Sequence, residues 1–294
     1  MFWISCVSLT MCLLHQASAD TVVDQLNRRI NFPANPQRVV SLAPSITEIV
    51  YALDQGKRLK GVTRNSDFPV EAKKLPKIGS YVRLDLERIV ALNPDLCIAT
   101  RDGNPKDAVD RLSSLKIPVY VVNPKTLDSV LETILEIGSL LNADAKARTL
   151  VASMQYRIKQ VNSMVAQVTY RPRVFFQIGI SPIISAGTDT FIHELIVRAG
   201  GNNLAQGRTP YPRFSKEQVL TLAPEIFIIT SMARQTAFQK VISDWRRWTD
   251  MPAVRDERIF LVDSNLFDRP SPRLVRGLEL LTKLIHPELF GQTQ

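Results

Sequence analysis

The stretch ERIVALNPDLCIAT (residues 87–100) has a near copy in EQVLTLAPEIFIIT (residues 217–230). In both, a glutamate precedes two aliphatic residues, a leucine, a proline and an apolar run that ends in threonine. Asp85 and Ser215, which are favoured helix N-cap residues, stand two positions before the glutamates. Each copy therefore predicts a short helix with a glutamate in its first turn, a stop at the proline, and a buried strand.

The rest of the chain alternates in the same way, with short apolar runs separated by helical patterns. Such alternation predicts parallel sheets covered by helices. Because the copies lie in opposite halves of the chain, the sequence predicts an α/β fold of two similar lobes, residues 38–142 and 171–290, with a ligand cleft between them. The alternative is that helix–proline–strand is a common connection and the copies are not a repeat.

Residues 143–170 are predicted to join the lobes as one long, rigid helix. Neither Gly nor Pro interrupts the helical pattern between Asp144 and Gln167. A helix of this length would span roughly 35 Å at 1.5 Å per residue, and it would act as a strut rather than as a flexible tether. Apolar residues recur in it at spacings of four and three, at Leu150, Met154, Ile158, Val161 and Val165.

The segment SITEIVYAL (residues 45–53) follows the first predicted strand and the turn APS. Ser45 is predicted to be a helix N-cap, with Glu48 three residues later in the capping-box position. With Pro44 and Ser45 at its start, this helix would present backbone N–H groups at the carboxyl end of the strand. That end of a parallel sheet is where α/β proteins usually bind ligands.

Residues 1–19 have the pattern of a cleaved signal peptide. They contain no Lys, Arg, Asp or Glu, include an apolar run, and end in the small-x-small tripeptide ASA. A membrane anchor is the alternative, but the run is broken by Ser, Thr and His and is shorter than the roughly 20 apolar residues that span a bilayer. The sequence therefore predicts export, with cleavage near Ala19.

Composition and motifs disfavour several function classes. The net charge of +9 is scattered without a basic block, which argues against nucleic-acid binding. Beyond the signal peptide Cys97 is the only cysteine, so no internal disulfide is expected. No common catalytic motif is present, and His193 and His286 are too few for a histidine-rich metal site. An exported α/β enzyme that uses the cleft and a direct zinc or manganese binder remain as alternatives.

Five collinear motifs resemble those of one protein family. They are RVVSLAPSITEIVYAL, GVTRNSDFP, LDLERIVALNPDLCIA, FSKEQVLTLAPEIFIIT and DRPSPRLVRGLELL, and the similarity extends from Arg38 to about Leu284. The family is that of the helical-backbone substrate-binding proteins of ABC importers, in the group that serves cobalamin (vitamin B12), ferric siderophores and haem. The resemblance implies two αβ lobes bridged by one long helix. It also implies a periplasmic monomer without enzymatic activity that binds a small-molecule metal chelate in the cleft.

The resemblance implies a role for the repeated glutamates as well. In this family one glutamate on each lobe docks the protein on arginines of the permease dimer in the inner membrane. By motif position these residues are Glu87 and Glu217. The alternative for each is an ordinary first-turn glutamate that interacts favourably with its helix dipole.

Ligand-binding positions are carried over from the family one at a time. Tyr81 and Tyr211 stand where cobalamin-binding members have Trp, and Asp268 with Arg269 matches an acid–Arg pair. Four positions replace an aromatic residue of the family: Asn65, Thr100, Ile184 and Leu266. The complete implied set is Pro44, Ser45, Asn65, Tyr81, Thr100, Arg101, Ile184, Tyr211, Leu266, Asp268 and Arg269.

These positions leave more than one ligand open. The two Tyr residues and the acid–Arg pair favour a cobalt corrinoid related to cobalamin. A ferric siderophore or haem is the alternative, and Arg83, Arg101 and Arg269 would supply the cluster that an anionic siderophore requires. The resemblance implies no resident cofactor and no residue that ligates the metal, because the chelate already satisfies it.

Overall fold

The structure is a computed structural model that describes residues 19–207, 209–230 and 235–291. The predicted signal peptide lies outside these ranges except for Ala19. In the described part of the chain, no helix is both long enough and apolar enough to cross a bilayer.

Strands and helices alternate through the described ranges. In chain order the strands are β1 (Ala19–Val23), β2 (Arg29–Pro33), β3 (Val39–Ser41), β4 (Leu59–Val62), β5 (Gly79–Ser80), β6 (Arg83–Leu84), β7 (Leu96–Thr100), β8 (Val119–Val122), β9 (Arg173–Gly179), β10 (Ile183–Ser185), β11 (Asn202–Asn203), β12 (Arg213–Phe214), β13 (Ile226–Ile229) and β14 (Ile259–Leu261). In chain order the α-helices are α1 (Pro44–Ala52), α2 (Leu86–Ala91), α3 (Lys106–Ser114), α4 (Leu127–Leu140), α5 (Asp144–Val165), α6 (Phe191–Arg198), α7 (Lys216–Leu222), α8 (Gln235–Arg246), α9 (Pro252–Arg255) and α10 (Leu274–Ile285). Short 3-10 helices lie at Gly56–Arg58, Val70–Lys74, Ser264–Leu266 and Pro287–Phe290.

The first lobe is built on a sheet with strand order β4-β3-β7-β8. Every pairing in this sheet is parallel. Successive residues of β7 pack on opposite faces: Ile98 joins Ile46 of α1 in one hydrophobic cluster, whereas Cys97 joins Ile89 of α2 and Val109 of α3 in another. Helices therefore cover both faces, as parallel sheets require.

The second lobe is built on a sheet with strand order β12-β10-β9-β13-β14, and β11 also pairs with β9. The strands β9, β11, β13 and β14 pair in parallel, while β10 and β12 are antiparallel. The short connection from Gly179 to Ile183 explains why β10 is antiparallel to β9, because a parallel pairing needs a much longer crossover. The predicted two-lobed α/β fold with parallel sheets is confirmed, and the second sheet adds antiparallel edge strands.

The two repeated stretches have the same local structure. The side chain of Asp85 caps α2 by accepting a hydrogen bond from a backbone N–H group, and the side chain of Ser215 caps α7 in the same way. Glu87 and Glu217 lie in the first turns of these helices, and both are exposed. The buried strands β7 and β13 follow directly. The predicted caps, helices and strands are confirmed.

Helix α5 is the predicted long helix between the lobes. It packs against α4 of the first lobe and α10 of the second. Arg157 of α5 forms a bidentate ion pair with Glu279 of α10, at 2.8 and 2.6 Å. Most of the predicted apolar stripe is buried, namely Met154, Ile158, Val161 and Val165. The helix therefore packs on both lobes, while the segment boundaries given above stay predictions.

Helix α1 begins differently from the prediction. Its N-cap is Ala43, no side chain caps it, and Pro44 is its first residue, so the predicted capping box of Ser45 and Glu48 is wrong. The first N–H of a helix has no partner within the helix, and proline at this position removes that unpaired donor. Glu48 has no capping role here. Its side chain is 2% exposed and forms hydrogen bonds with the second lobe instead.

The carboxylate of Glu48 joins the two lobes. Its Oε1 accepts hydrogen bonds from Arg269 Nη1 at 2.9 Å and Arg273 Nη2 at 2.5 Å. Its Oε2 accepts from Arg273 Nε at 2.9 Å and Ser271 Oγ at 2.6 Å. A buried carboxylate is unfavourable unless it is paired and hydrogen-bonded. Burial of Glu48 therefore holds α1 against the segment that precedes α10.

We expect Glu48→Ala to lower the free energy of unfolding by about 3 kcal/mol, because it leaves two largely buried arginines without their shared partner. Urea unfolding followed by circular dichroism measures this change. Glu132→Ala, which removes an exposed glutamate from α4, is the control and should change the free energy by less than about 0.5 kcal/mol. Equal effects of the two substitutions would show that the ion pairs do not stabilise the fold.

Candidate ligand-binding site

A cleft of about 400 Å³ lies between the two lobes, within the range of small-molecule sites. The first lobe contributes the start of α1, the end of β7 and the loops around them, and the second lobe contributes the start of α6 and the segment before α10. The predicted cleft between the lobes is confirmed. The residues that line it are Ala43, Pro44, Ser45, Asn65, Tyr81, Val82, Thr100, Asp102, Gly103, Pro124, Ile178, Phe191, Ile192, Tyr211, Ser264, Asn265, Asp268, Arg269 and Pro270.

The structure brings most of the predicted ligand-binding positions together in this cleft. Those that line it are Pro44, Ser45, Asn65, Tyr81, Thr100, Tyr211, Asp268 and Arg269. The remaining predicted positions, Arg101, Ile184 and Leu266, are not part of the lining. These three positions were inferred from the family's motifs, but their side chains do not line the cleft of this chain.

Each of these three residues lies elsewhere for a local reason. Arg101 is exposed and lies in the turn that follows the last residue of β7. Ile184 pairs with Gly179 in the sheet and packs over that glycine. Leu266 packs against the main hydrophobic core. The expected arginine cluster of Arg83, Arg101 and Arg269 is not assembled, since only Arg269 lines the cleft.

Two tyrosines line the cleft from opposite lobes. Tyr81 and Tyr211 are separated by the same interval as Glu87 and Glu217, so they occupy equivalent positions of the repeat. The ring of Tyr81 lies against Gly103, where an added Cβ would come within 2.5 Å of ring atoms. The hydroxyl of Tyr211 donates a hydrogen bond to Asp102 Oδ2 at 2.8 Å. This bond bridges the two lobes across the cleft.

Both tyrosines remain neutral phenols near physiological pH. Burial raises the pKa of Tyr81, and the carboxylates of Asp102 and Asp268 raise it further. Burial also raises the pKa of Tyr211, with contributions from the charge of Asp102 and its hydrogen bond. The rings are therefore suited to stacking against a flat apolar surface and to donating hydrogen bonds.

Asp268 lies in the wall of the second lobe. Burial raises its pKa to about 7, with a smaller contribution in the same direction from Asp263. The hydroxyl of Thr230, 3.5 Å from Oδ1, and the charge of Arg269 oppose this rise. Near neutral pH the carboxyl therefore exchanges between a form that donates a hydrogen bond and a form that only accepts.

Arg269 lines the same wall, but protein groups hold its guanidinium. Nη1 lies 2.9 Å from Glu48 Oε1 and 2.9 Å from Asp67 Oδ1. Nη2 donates to the backbone carbonyl of Asn65 at 2.9 Å. The arginine thus serves first as a link between the lobes.

Several lining residues were absent from the predicted set, notably Asp102, Phe191 and Ile192. Asp102 follows the carboxyl end of β7, so the rule that ligands bind at strand ends was a usable signal. Phe191 and Ile192 open α6, and both side chains are largely buried. Nothing in their local pattern distinguishes a cleft wall from an ordinary core position.

Residues 39–266 match the model of the protein family described as periplasmic binding protein. The chain belongs to this family. It is 31% identical over 278 residues to an uncharacterized ABC transporter substrate-binding lipoprotein of Bacillus subtilis, covering 92% of this chain and 87% of that one. It is 32% identical over 247 residues to a vitamin B12-binding protein of Vibrio parahaemolyticus, covering 82% of this chain and 86% of that one.

Solved structures of the family share the fold. The periplasmic vitamin B12 binding protein of Vibrio cholerae superposes with a TM-score of 0.77 at 27% identity, covering 88% of this chain and 100% of that chain. A periplasmic haem-binding protein from Roseiflexus sp. RS-1, in its apo form, also gives 0.77 at 27% identity, covering 86% and 99%. The two-lobed architecture is therefore that of a periplasmic binding protein.

The family consists of substrate-binding proteins of ABC transporters rather than enzymes. Such proteins bind small-molecule ligands and pair with a membrane permease. The relatives are exported, as periplasmic proteins or as a lipoprotein. Among the residues that the structure describes, no group of three or more His, Cys, Asp or Glu side chains is placed to hold a metal ion.

We expect Asp268→Asn to increase stability by about 1–2 kcal/mol more at pH 8 than at pH 4.5, because it removes the cost of ionising a largely buried carboxyl. The unfolded carboxyl has a pKa near 3.8, whereas the folded one keeps its proton up to about pH 7. The folded wild type therefore loses stability as the pH rises through this window, and Asn removes that loss. Solvent at the open cleft reduces the effect below that of full burial.

Urea unfolding of both proteins at the two pH values measures this difference. Asp107→Asn, an exposed position on α3, is the matched control and should show no such dependence on pH. An equal effect of Asp268→Asn at pH 4.5 and pH 8 would contradict the raised pKa.

Proposed function

We propose that this protein captures a cobalt corrinoid of the cobalamin type in the interlobe cleft and delivers it to the permease of an ABC importer. The observation that supports this most is the pair of rings, Tyr81 and Tyr211, that line the cleft from opposite lobes. Several relatives that are at least 30% identical over most of this chain are named vitamin B12-binding proteins.

The lining suits a bulky ligand with an apolar face and a polar rim. The rings of Tyr81 and Tyr211 would contact the face or the edge of the ligand from opposite lobes. Asp268 would accept hydrogen bonds from its amide rim, and the start of α1 at Pro44 and Ser45 would complete the contact. No residue needs to ligate the metal, because the chelate supplies its equatorial ligands.

Haem or a ferric siderophore is the second candidate ligand. The haem-binding protein of Roseiflexus sp. is as similar in fold as the vitamin B12 binding protein of Vibrio cholerae. Tyrosine is one of the residue types that ligate haem iron in proteins. Tyr81 and Tyr211 both line the cleft, so either ring would be a candidate for this role.

Calorimetric titration of the protein, without its signal peptide, with cyanocobalamin, haemin and a ferric hydroxamate tests the proposal. We expect cyanocobalamin to bind most tightly, and Tyr81→Ala with Tyr211→Ala to weaken its binding at least about tenfold through lost apolar and aromatic contact. Tyr156→Ala, an exposed ring on α5, is the control and should not change the affinity. Preferred binding of haemin or the hydroxamate would favour the second candidate and reject the corrinoid.

Glu87 and Glu217 are the proposed docking residues for the permease. Both are exposed, and each lies in the first turn of a helix that follows a cleft-lining tyrosine by a few residues. Two matching carboxylates, one on each lobe, suit a two-fold symmetric permease with one cationic pocket for each. Exposed ion pairs of this kind mainly set orientation and the rate of encounter.

We expect Glu87→Ala with Glu217→Ala to abolish import of the ligand into cells while leaving the affinity for the ligand unchanged. The reason is that neither side chain lines the cleft, so only docking loses its charges. Glu132→Ala with Glu257→Ala, which removes one exposed glutamate from each lobe, is the matched control and should support normal import. Undiminished uptake by the Glu87 and Glu217 double variant would refute the docking role.

A further inference from the structure

Arg269 carries a positive charge on the cleft wall, but two protein carboxylates already neutralise it. Its Nη1 contacts both Glu48 and Asp67 at 2.9 Å, and its Nη2 donates to the carbonyl oxygen of Asn65. The side chain is 12% exposed. A ligand carboxylate that approached Arg269 would have to compete with both of these protein carboxylates for one guanidinium.

The other charged groups on the wall are carboxylates, one from each lobe. Asp102 belongs to the first lobe and Asp268 to the second. Among the lining residues in the described part of the chain, Arg269 is the only Arg, Lys or His. Because Glu48 and Asp67 already pair with Arg269, the described part of the wall presents the negative charges of Asp102 and Asp268 to whatever enters.

The two tyrosines of the cleft lie in the electrostatic field of these carboxylates. After burial, Asp102 and Asp268 each raise the pKa of both Tyr81 and Tyr211. A field that opposes ionisation of two phenols also opposes entry of a carboxylate between them. An ionised carboxylate accepts hydrogen bonds and donates none, so it complements N–H groups on a ligand.

We infer that the cleft selects chelates whose rim carries amide N–H donors and no carboxylate, and that Asp102 and Asp268 set this preference. The inference rests on the proposed function, because it takes this cleft to be the ligand site. The inference goes beyond that proposal because it specifies which chemical groups the rim of the ligand carries. An amide-rimmed corrinoid fits, whereas the two propionates of haem, or a siderophore with carboxylate groups, would meet carboxylates of the protein.

Matched ligand pairs of nearly the same shape test the inference. One pair is cyanocobalamin and the derivative in which its peripheral propionamides are hydrolysed to carboxylates; the other is haemin dimethyl ester and haemin. Calorimetry at pH 8 should show the amide corrinoid binding at least about tenfold more tightly than its carboxylate derivative. Asp102→Asn with Asp268→Asn should reduce this ratio to less than about threefold, because both substitutions remove the opposing charge and keep the shape.

A matched control removes the same charge elsewhere. Asp107→Asn with Asp250→Asn changes one exposed aspartate in each lobe, outside the cleft, and should leave the ratio unchanged. Thermal melting checks that the double variants are folded. Asp102→Asn alone, at an exposed position, should lower the ratio measurably and tests the inference if the double cleft variant does not fold.

The outcomes separate the inference from the proposed function. Tight cyanocobalamin binding with a ratio near one, or with a ratio that the Asn substitutions leave unchanged, overturns the inference and leaves the proposed function standing. Absence of corrinoid binding, together with a preference for haemin dimethyl ester over haemin, rejects the proposed function and the preference for amide N–H donors, and supports only the exclusion of carboxylates by Asp102 and Asp268. A preference for haemin, or binding of none of the four probes, rejects both.

Discussion

The buried carboxylate of Glu48 constrains how the two lobes face each other. An unpaired buried carboxylate is unfavourable by several kcal/mol, and the partners of Glu48 come from one short segment of the second lobe, residues 269–273. Helix α1 and this segment must therefore stay in contact for as long as Glu48 remains buried. The same segment and the residue before it supply Asp268, Arg269 and Pro270 to the cleft wall. The ion pairs that join the lobes thus also fix the position of one wall of the site.

Helix α5 provides a second attachment between the lobes, and it is linked to the first. It packs against α4 and α10, and α10 begins directly after the segment that binds Glu48. A wide hinge motion would have to break the Glu48 ion pairs, the packing of α5 and the Tyr211–Asp102 hydrogen bond together. We therefore expect a cleft that changes little in width. Binding to a preformed site requires little ordering of the protein, so less of the interaction free energy is lost and the affinity is higher.

What the sequence predicted well depends on local signals, and what it missed depends on distant partners. The caps, prolines and apolar spacings of the repeat specify α2, β7, α7 and β13 within a few residues, and the uninterrupted pattern specifies α5. Glu48 matched a local capping pattern, but its partners belong to the other lobe, near the far end of the chain, and outweighed that pattern. Arg101, Ile184 and Leu266 show that a shared motif transfers a position and not the direction of a side chain. Asp102 stood at a strand end, outside every aligned motif, and only the fold brought it to Tyr211.

The fold does not identify the ligand, because proteins named for vitamin B12 and for haem superpose equally well on this chain. Tyr81 and Tyr211 do not identify it either, since a corrinoid and haem both present an apolar ring system. The charge on the rim of the ligand distinguishes an amide-rimmed corrinoid from haem, which carries two propionates. Like charges repel more strongly across a partly enclosed cleft than in open water, so Asp102 and Asp268 would disfavour a carboxylate on that rim. Under the proposal for the rim, the charges of Asp102 and Asp268, with Arg269 already paired, would therefore act on the choice of chelate in addition to the rings that line the cleft.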